Sequence, residues 1–256
     1  MKFSANLGFL FTNRSLPDAV RAAKEMGFDA VECHWPYDTP ASEVNVALLE
    51  TGLPMLGLNT RRGNLDRGEN GLAALPGREE EARAIIDEAL SYAQEVSALA
   101  VHVMAGYGSG EQAKATFIDN LAYAAKQAEA SGITILIEPL NRHDAPGYFL
   151  QTTDQAVSII REIGLPNLKL MFDCYHVART EGDVTTRLTA LLSDIGHIQF
   201  ASVPDRGAPD KGELCYKHVF DHIESVGWKM PLGAEYKPKI AYENDFCWML
   251  DFKGLG

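Results

Sequence analysis

Short apolar runs and longer amphipathic stretches alternate eight times along the chain, and this alternation limits the possible folds more than any other feature of the sequence. The short runs predict strands near residues 3–7, 29–33, 54–59, 99–104, 133–138, 168–173, 195–200 and 231–236. Helical periodicity predicts helices near 16–26, 42–51, 78–96, 111–131, 153–163, 184–192, 214–226 and 243–251. Ser15, Ser42 and Thr153 stand where N-caps belong, Pro17 suits a first helical turn, and Gly27, Gly52, Gly132, Gly164 and Gly227 follow helix ends. Eight units in 256 residues average about 32 residues each, the size of one βα repeat. The expected fold is therefore α/β, a single (β/α)8 TIM barrel over residues 1–256, with no linker to divide it. A doubly wound sheet competes, but its glycine-rich phosphate turn is missing: Gly8-Phe-Leu-Phe-Thr after the first strand matches no GxGxxG.

Four predicted strands end in oxygen-bearing side chains: Glu138, Asp173, Gln199 and Glu235. Strand alternation turns Leu136, Met171, His197 and Gly233 inward with them, so the four would form one cup at the C-terminal mouth, where barrel enzymes place their sites. Oxygen ligands of this kind suit a hard divalent cation, Mg²⁺ or Mn²⁺, whereas zinc leans on Cys and His. The plain alternative is that each carboxylate caps a helix or forms an ion pair. Around the cup, His176 is placed to begin the helix after Asp173, His102 to reach the mouth from the fourth strand, and Arg206 and Lys211 to lie on a glycine- and proline-rich loop able to serve as a lid. His197 should sit one layer below Gln199 and support rather than ligate. Asn59, Arg61 and Arg62 extend the mouth, and Trp35 and Phe11 either wall a pocket or pack in the core.

A net charge of -12 repels nucleic acid and anionic membranes, leaving small solutes as the expected partners. No apolar run approaches the roughly 18 residues that span a bilayer, and the N-terminus enters a strand pattern without a signal-peptide core. Cys33, Cys174, Cys215 and Cys247 are widely spaced and form no CxxC pair, which fits reduced thiols in a cytoplasm.

The segments Ile137-Glu-Pro-Leu-Asn-Arg, Phe172-Asp-Cys-Tyr-His, Gly196-His-Ile-Gln-Phe-Ala, Pro204-Asp-Arg-Gly-Ala-Pro-Asp-Lys-Gly-Glu and Gly233-Ala-Glu-Tyr-Lys-Pro resemble those of hydroxypyruvate isomerases, within the xylose isomerase-like barrels. Phe3-Ser-Ala-Asn-Leu and Leu56-Gly-Leu-Asn-Thr-Arg-Arg-Gly-Asn extend the resemblance over nearly the whole chain. It implies that Glu138 and Glu235 are a catalytic pair that also faces a metal, together with Asp173 and Gln199. It also implies a substrate carboxylate met by Arg206, His176 or Lys211, and a dimer or tetramer. Where related ketose 3-epimerases carry a histidine ligand this chain has Gln199, as the hydroxypyruvate isomerase branch does. The implied reaction interconverts hydroxypyruvate and tartronate semialdehyde. The rivals are isomerisation of 2-oxo-tetronates, ketose epimerisation, metal-dependent cleavage of abasic DNA as in related barrels, and binding of a sugar acid without turnover.

Overall fold

The computed structural model describes residues 1–238 and 246–253. Eight parallel strands make one sheet in the order β2-β1-β8-β7-β6-β5-β4-β3. They are β1 Phe3–Asn6, β2 Ala30–Glu32, β3 Leu58–Asn59, β4 Ala100–His102, β5 Thr134–Ile137, β6 Leu168–Asp173, β7 Ile195–Phe200 and β8 Leu232–Ala234. The ends of the sheet meet between β2 and the segment before β3, where Val31 bridges Met55. There Leu56 N–H donates to the Val31 carbonyl at 2.7 Å and Cys33 N–H to that of Gly57 at 3.0 Å. The expected barrel is the observed one, with helices α1 Leu16–Glu25, α2 Ala41–Thr51, α3 Glu79–Glu95, α4 Gly110–Glu129, α5 Thr153–Ile163, α7 Val184–Leu191 and α8 Tyr216–Ser225 between strands.

Local chemistry sets the boundaries, and several expectations shift. Ser15 caps α1 by accepting from Asp18 N–H, and Pro17 lies in its first turn as expected. In α2 the cap position is Pro40, so Ser42 lies inside the helix. Thr152, not Thr153, caps α5, accepting from Gln155 N–H at 3.2 Å. Only Leu58–Asn59 of the third predicted strand joins the ladder, while residues 54–57 exchange hydrogen bonds with the β2 segment and, through the Met55 carbonyl, accept from Leu99 N–H at 3.1 Å. A short helix outside the eight predicted spans, α6 Cys174–Thr180, follows β6 directly because the Asp173 side chain caps it, and His176 lies in its first turn, close to where it was expected to begin a helix. The expected helix 243–251 falls partly outside the described residues, and α9 covers Trp248–Lys253.

Inward and outward faces divide the core. Inside the barrel Ala100, Leu136 and Met171 form their own small cluster, the layer that strand alternation placed beneath the mouth. Outside, the apolar face of the sheet meets the helices. Phe200, fully buried, sits there with ring centroids 5.8 Å from Phe3, 5.7 Å from Tyr216, 4.9 Å from Phe220 and 5.4 Å from Trp248. Phe200→Ala would empty this aromatic nest, and we expect it to lower unfolding free energy by about 3–5 kcal/mol in a denaturant titration. A loss near zero would mean that the helices close over the gap.

One irregularity bears on the mouth. Leu170 pairs with Ile195 but Met171 pairs with His197, so β7 carries one extra residue, Gly196. A Cβ on Gly196 would lie 2.6 Å from the Lys169 Cβ, which explains the glycine. Beyond the bulge Asp173 and Gln199 stand side by side in the ladder, and Gln199 in turn faces Gly233.

Candidate active site and cation cup

The C-terminal ends of the strands bring Glu138, Asp173, His176 and Glu235 together, with one ligating atom from each lying within 4.8 Å of the others. All four are buried, as is Gln199. Asp173 unites both readings of a strand-end carboxylate. Its Oδ1 caps α6 through Tyr175 N–H at 2.8 Å, while its buried Oδ2 has no hydrogen-bond partner. Glu138 Oε1 and Gln199 Oε1 are likewise buried and unpartnered among the described residues. A buried oxygen without a donor costs free energy unless something absent from the protein meets it. Orphaned oxygens on three neighbouring strands, with Glu235 closing the group, fit a hard divalent cation.

His176 lies within the cluster geometrically, but its hydrogen bonds give it another character. Its Nδ1 accepts from Asn141 backbone N–H at 3.0 Å, a bond of only one polarity. The neutral ring therefore carries its proton on Nε2, which lies 3.7 Å from Glu138 Oε1 and 3.6 Å from Asp173 Oδ2. Burial, then the nearby Arg206 charge, lowers its pKa to about 3, so the neutral form prevails. His176 thus offers an N–H to an oxygen in the cup rather than a lone pair to a metal. His102, buried and without a hydrogen bond at either nitrogen among the described residues, has Nδ1 3.7 Å from Glu138 Oε2, and burial drives its pKa down to about 4.

The two glutamates differ in their surroundings. Burial, reinforced by Glu235 and Asp173, pushes the Glu138 carboxyl well above the ordinary range. Burial acts on Glu235 in the same direction, but Arg206 and a bond from His34 outweigh it and hold that carboxyl far below the ordinary range. Glu235 Oε1 receives His34 Nε2 at 2.9 Å and Asn6 Nδ2 at 3.1 Å, and Oε2 pairs with Arg206. Arg206 also lies 3.8 Å from Asp173 and 3.7 Å from Asp144, between the rings of Phe9 at 4.9 Å and Tyr175 at 5.0 Å. Its loop is tied down, since Lys237 N–H donates to the Arg206 carbonyl at 2.7 Å and Glu213 N–H to that of Val203 at 2.8 Å.

Lys211 corrects the expectation for that loop. Its side chain is 75% exposed and its nearest ionic partner is Asp210 at 3.9 Å. Sequence proximity to Arg206 does not carry it into the cup, because the loop is exposed from residue 210 to 213. Phe11 stacks on Phe246 in the core, whereas Trp35 lies under the Arg62 guanidinium at 3.9 Å. Asn6, Glu32 and His34 belong to the site and were not anticipated. Glu32, buried at the end of β2, accepts from His197 Nε2 at 2.9 Å and from Gln199 Nε2 at 2.8 Å. Burial would raise its carboxyl, yet His197 and then Gln199 hold it below the ordinary range. Strand alternation applied to β1 and β2 would have found Asn6 and Glu32.

Burial and then Glu235 push the Asp173 carboxyl up to about 7. A proton on Asp173 competes with a cation, so Mn²⁺ binding is expected to weaken as pH falls through about 7. Calorimetric titrations on both sides of neutrality check this; pH-independent affinity would take Asp173 out of the ligand set.

Comparison with known proteins follows the same lines. The profile of the xylose isomerase-like TIM barrel matches residues 20–251. The chain belongs to the xylose isomerase-like TIM barrel family. Within that family it is 41% identical to a 2-oxo-tetronate isomerase of Cupriavidus necator, over 99% of each chain. It is 38% identical to the hydroxypyruvate isomerase of Escherichia coli, over 97% of this chain and 98% of the other. Among solved structures, a Brucella melitensis protein described as an AP endonuclease, family 2, superposes with a TM-score of 0.95 at 37% identity over 98% of both chains. Among the described residues no helix is long and apolar enough to cross a membrane. In the xylose isomerase-like barrel of this chain, the cup is drawn from four strand ends, those of β5, β6, β7 and β8.

Proposed function

We propose that this chain is an aldose–ketose isomerase that converts hydroxypyruvate to 2-hydroxy-3-oxopropanoate. The observation that carries this reading is the pair of buried glutamates, Glu138 and Glu235, that enter one cup from different strands with opposite proton affinities. A divalent cation, Mg²⁺ or Mn²⁺, held by Glu138, Asp173, Gln199 and Glu235, would supply the positive charge that stabilises an enediolate.

The side chains do the rest. Glu138 binds a proton more tightly than Glu235 and presents an unpartnered oxygen, so it is the stronger base and removes the proton from C3. Glu235, fixed by His34, Asn6 and Arg206, stands by the neighbouring carbon and passes a proton from solvent water to C2, while Glu138 releases the C3 proton to solvent, so both glutamates end as they began. The hydroxyl proton moves from the C3 oxygen to the C2 oxygen, and the Nε2–H of His176 steadies the oxygen that carries charge between these steps. Arg206 meets the substrate carboxylate at the edge of the cup.

A second reading, isomerisation of 2-oxo-tetronates, is favoured by the 41% identity to the Cupriavidus necator enzyme. It uses the same cup and differs only in the length of the substrate. Cleavage of DNA fits less well, since a net charge of -12 opposes a polyanion. A panel of hydroxypyruvate, 2-oxo-tetronates, ketopentoses and ketohexoses, ranked by kcat/KM with added Mn²⁺, tests the proposal. Preference for a neutral ketose would replace it, and absence of turnover on every member would end it.

A further inference from the structure

One buried carboxylate takes no part in the proposed chemistry. Glu32 is 4% exposed, and three N–H donors converge on it: His197 Nε2 on Oε2 at 2.9 Å, and Gln199 Nε2 at 2.8 Å and Asn6 Nδ2 at 3.1 Å on Oε1. Its position beside the cup has a chemical consequence for Gln199. A carboxamide is nearly symmetrical in shape but not in polarity: turned one way it offers oxygen to the cup, turned the other way it offers NH₂, which repels a cation. An ionised carboxylate only accepts, so the amide must give Glu32 its nitrogen and send Oε1 elsewhere. Gln199 Oε1 is buried and meets no donor among the described residues.

The surroundings are built for this contact. A Cβ on Gly233 would lie 2.6 Å from Glu32 Oε1 and 2.8 Å from Gln199 Cγ, so glycine is the one residue that lets the two meet. Gly233 has no left-handed backbone angle to explain it otherwise. The Asn6 carboxamide is itself locked, because its Oδ1 accepts from Gly8 N–H at 2.9 Å. Asn6 therefore cannot turn an acceptor toward Glu32 and compete for the role.

We propose that Glu32 is a positioning residue of the cation site, fixing the Gln199 amide so that its oxygen, not its nitrogen, faces the cup. This deepens the functional reading above and depends on Gln199 being a ligand there. Replacing Glu32 by Gln keeps shape and volume but gives residue 32 an N–H of its own. That N–H can capture Gln199 Oε1 and turn the NH₂ group into the cup.

The test is calorimetric titration of the full-length, chelator-treated protein with MnCl₂, for wild type, Glu32→Gln, Gln199→Ala and the double variant, with each melting temperature taken in chelator. We expect each single variant to bind Mn²⁺ about 10–100-fold more weakly, and the double variant to bind no more weakly than Gln199→Ala alone, because the two act through one atom. Losses that multiply in the double variant would show that Glu32 acts by another route and overturn the proposal. Wild-type affinity in Glu32→Gln beside a weakened Gln199→Ala would overturn it while sparing the ligand set. Wild-type affinity in Gln199→Ala would remove Gln199 from the ligands and the proposal with it. Should Glu32→Gln fail to fold, Gly233→Ala displaces the same contact by sterics alone. It should weaken Mn²⁺ binding to a similar degree, and undiminished affinity there would count against Glu32.

Discussion

Glu138→Gln and Glu235→Gln are each expected to lower kcat by about 10²–10⁴ at saturating Mn²⁺, the loss that follows removal of a general acid or base. Both changes keep the size of the side chain and one oxygen, so metal loss is held to a minimum and proton transfer is what disappears. The two should differ in a second measurement, solvent deuterium entering the substrate. Glu235→Gln should still exchange the C3 proton without completing isomerisation, because Glu138 retains its unpartnered oxygen. Glu138→Gln should exchange nothing. Exchange in the opposite variant would reverse the order of the two bases, and near-normal turnover in both would remove proton transfer from these residues altogether.

Arg206→Ala is expected to raise KM for carboxylate-bearing substrates by about 10–100-fold, the range of a hydrogen bond to a charged group. Neutral ketoses should suffer less. The side chain is only 13% exposed and its guanidinium is wedged between Phe9 and Tyr175, so planarity matters as well as charge. Arg206→Lys should therefore recover only part of the loss. Removal of Arg206 also strips Glu235 and Asp173 of their nearest cation. Some fall in kcat should accompany the rise in KM. Equal effects on charged and neutral substrates would leave Arg206 as a partner of the glutamates and nothing more.

The fold and half of the site were legible in the chain for one physical reason, the period of two along a strand. Glu138, Asp173, Gln199 and Glu235 each end a run long enough to show which parity faces inward, and the structure brings those ends to one mouth. Asn6 and Glu32 end β1 and β2 with the same inward parity, so they too lay within reach of that period. His34 lies beyond the strand, where parity no longer applies. The tautomer of His176 was out of reach, because it depends on a backbone N–H thirty-five positions away. Lys211 was misplaced because four residues of loop separate it from Arg206, enough for its side chain to end in solvent. Helix α6 is too short to display a period, and only the side chain of Asp173 marks where it begins.

The hydrogen bond from Asn6 to Glu235 joins residues 229 positions apart, and it has a consequence for how the protein comes into being. During synthesis the first strand waits, with one edge open, until nearly the whole chain has left the ribosome. Glu138 and Asp173 can be buried by then, but Arg206 and Glu235 arrive among the last fifth of the residues, so the nascent barrel holds its acids before it holds their counter-charge. Until Arg206 arrives, the repulsion between Glu138 and Asp173 is unrelieved by that side chain, so closure of the barrel and neutralisation of its mouth belong to the same late step.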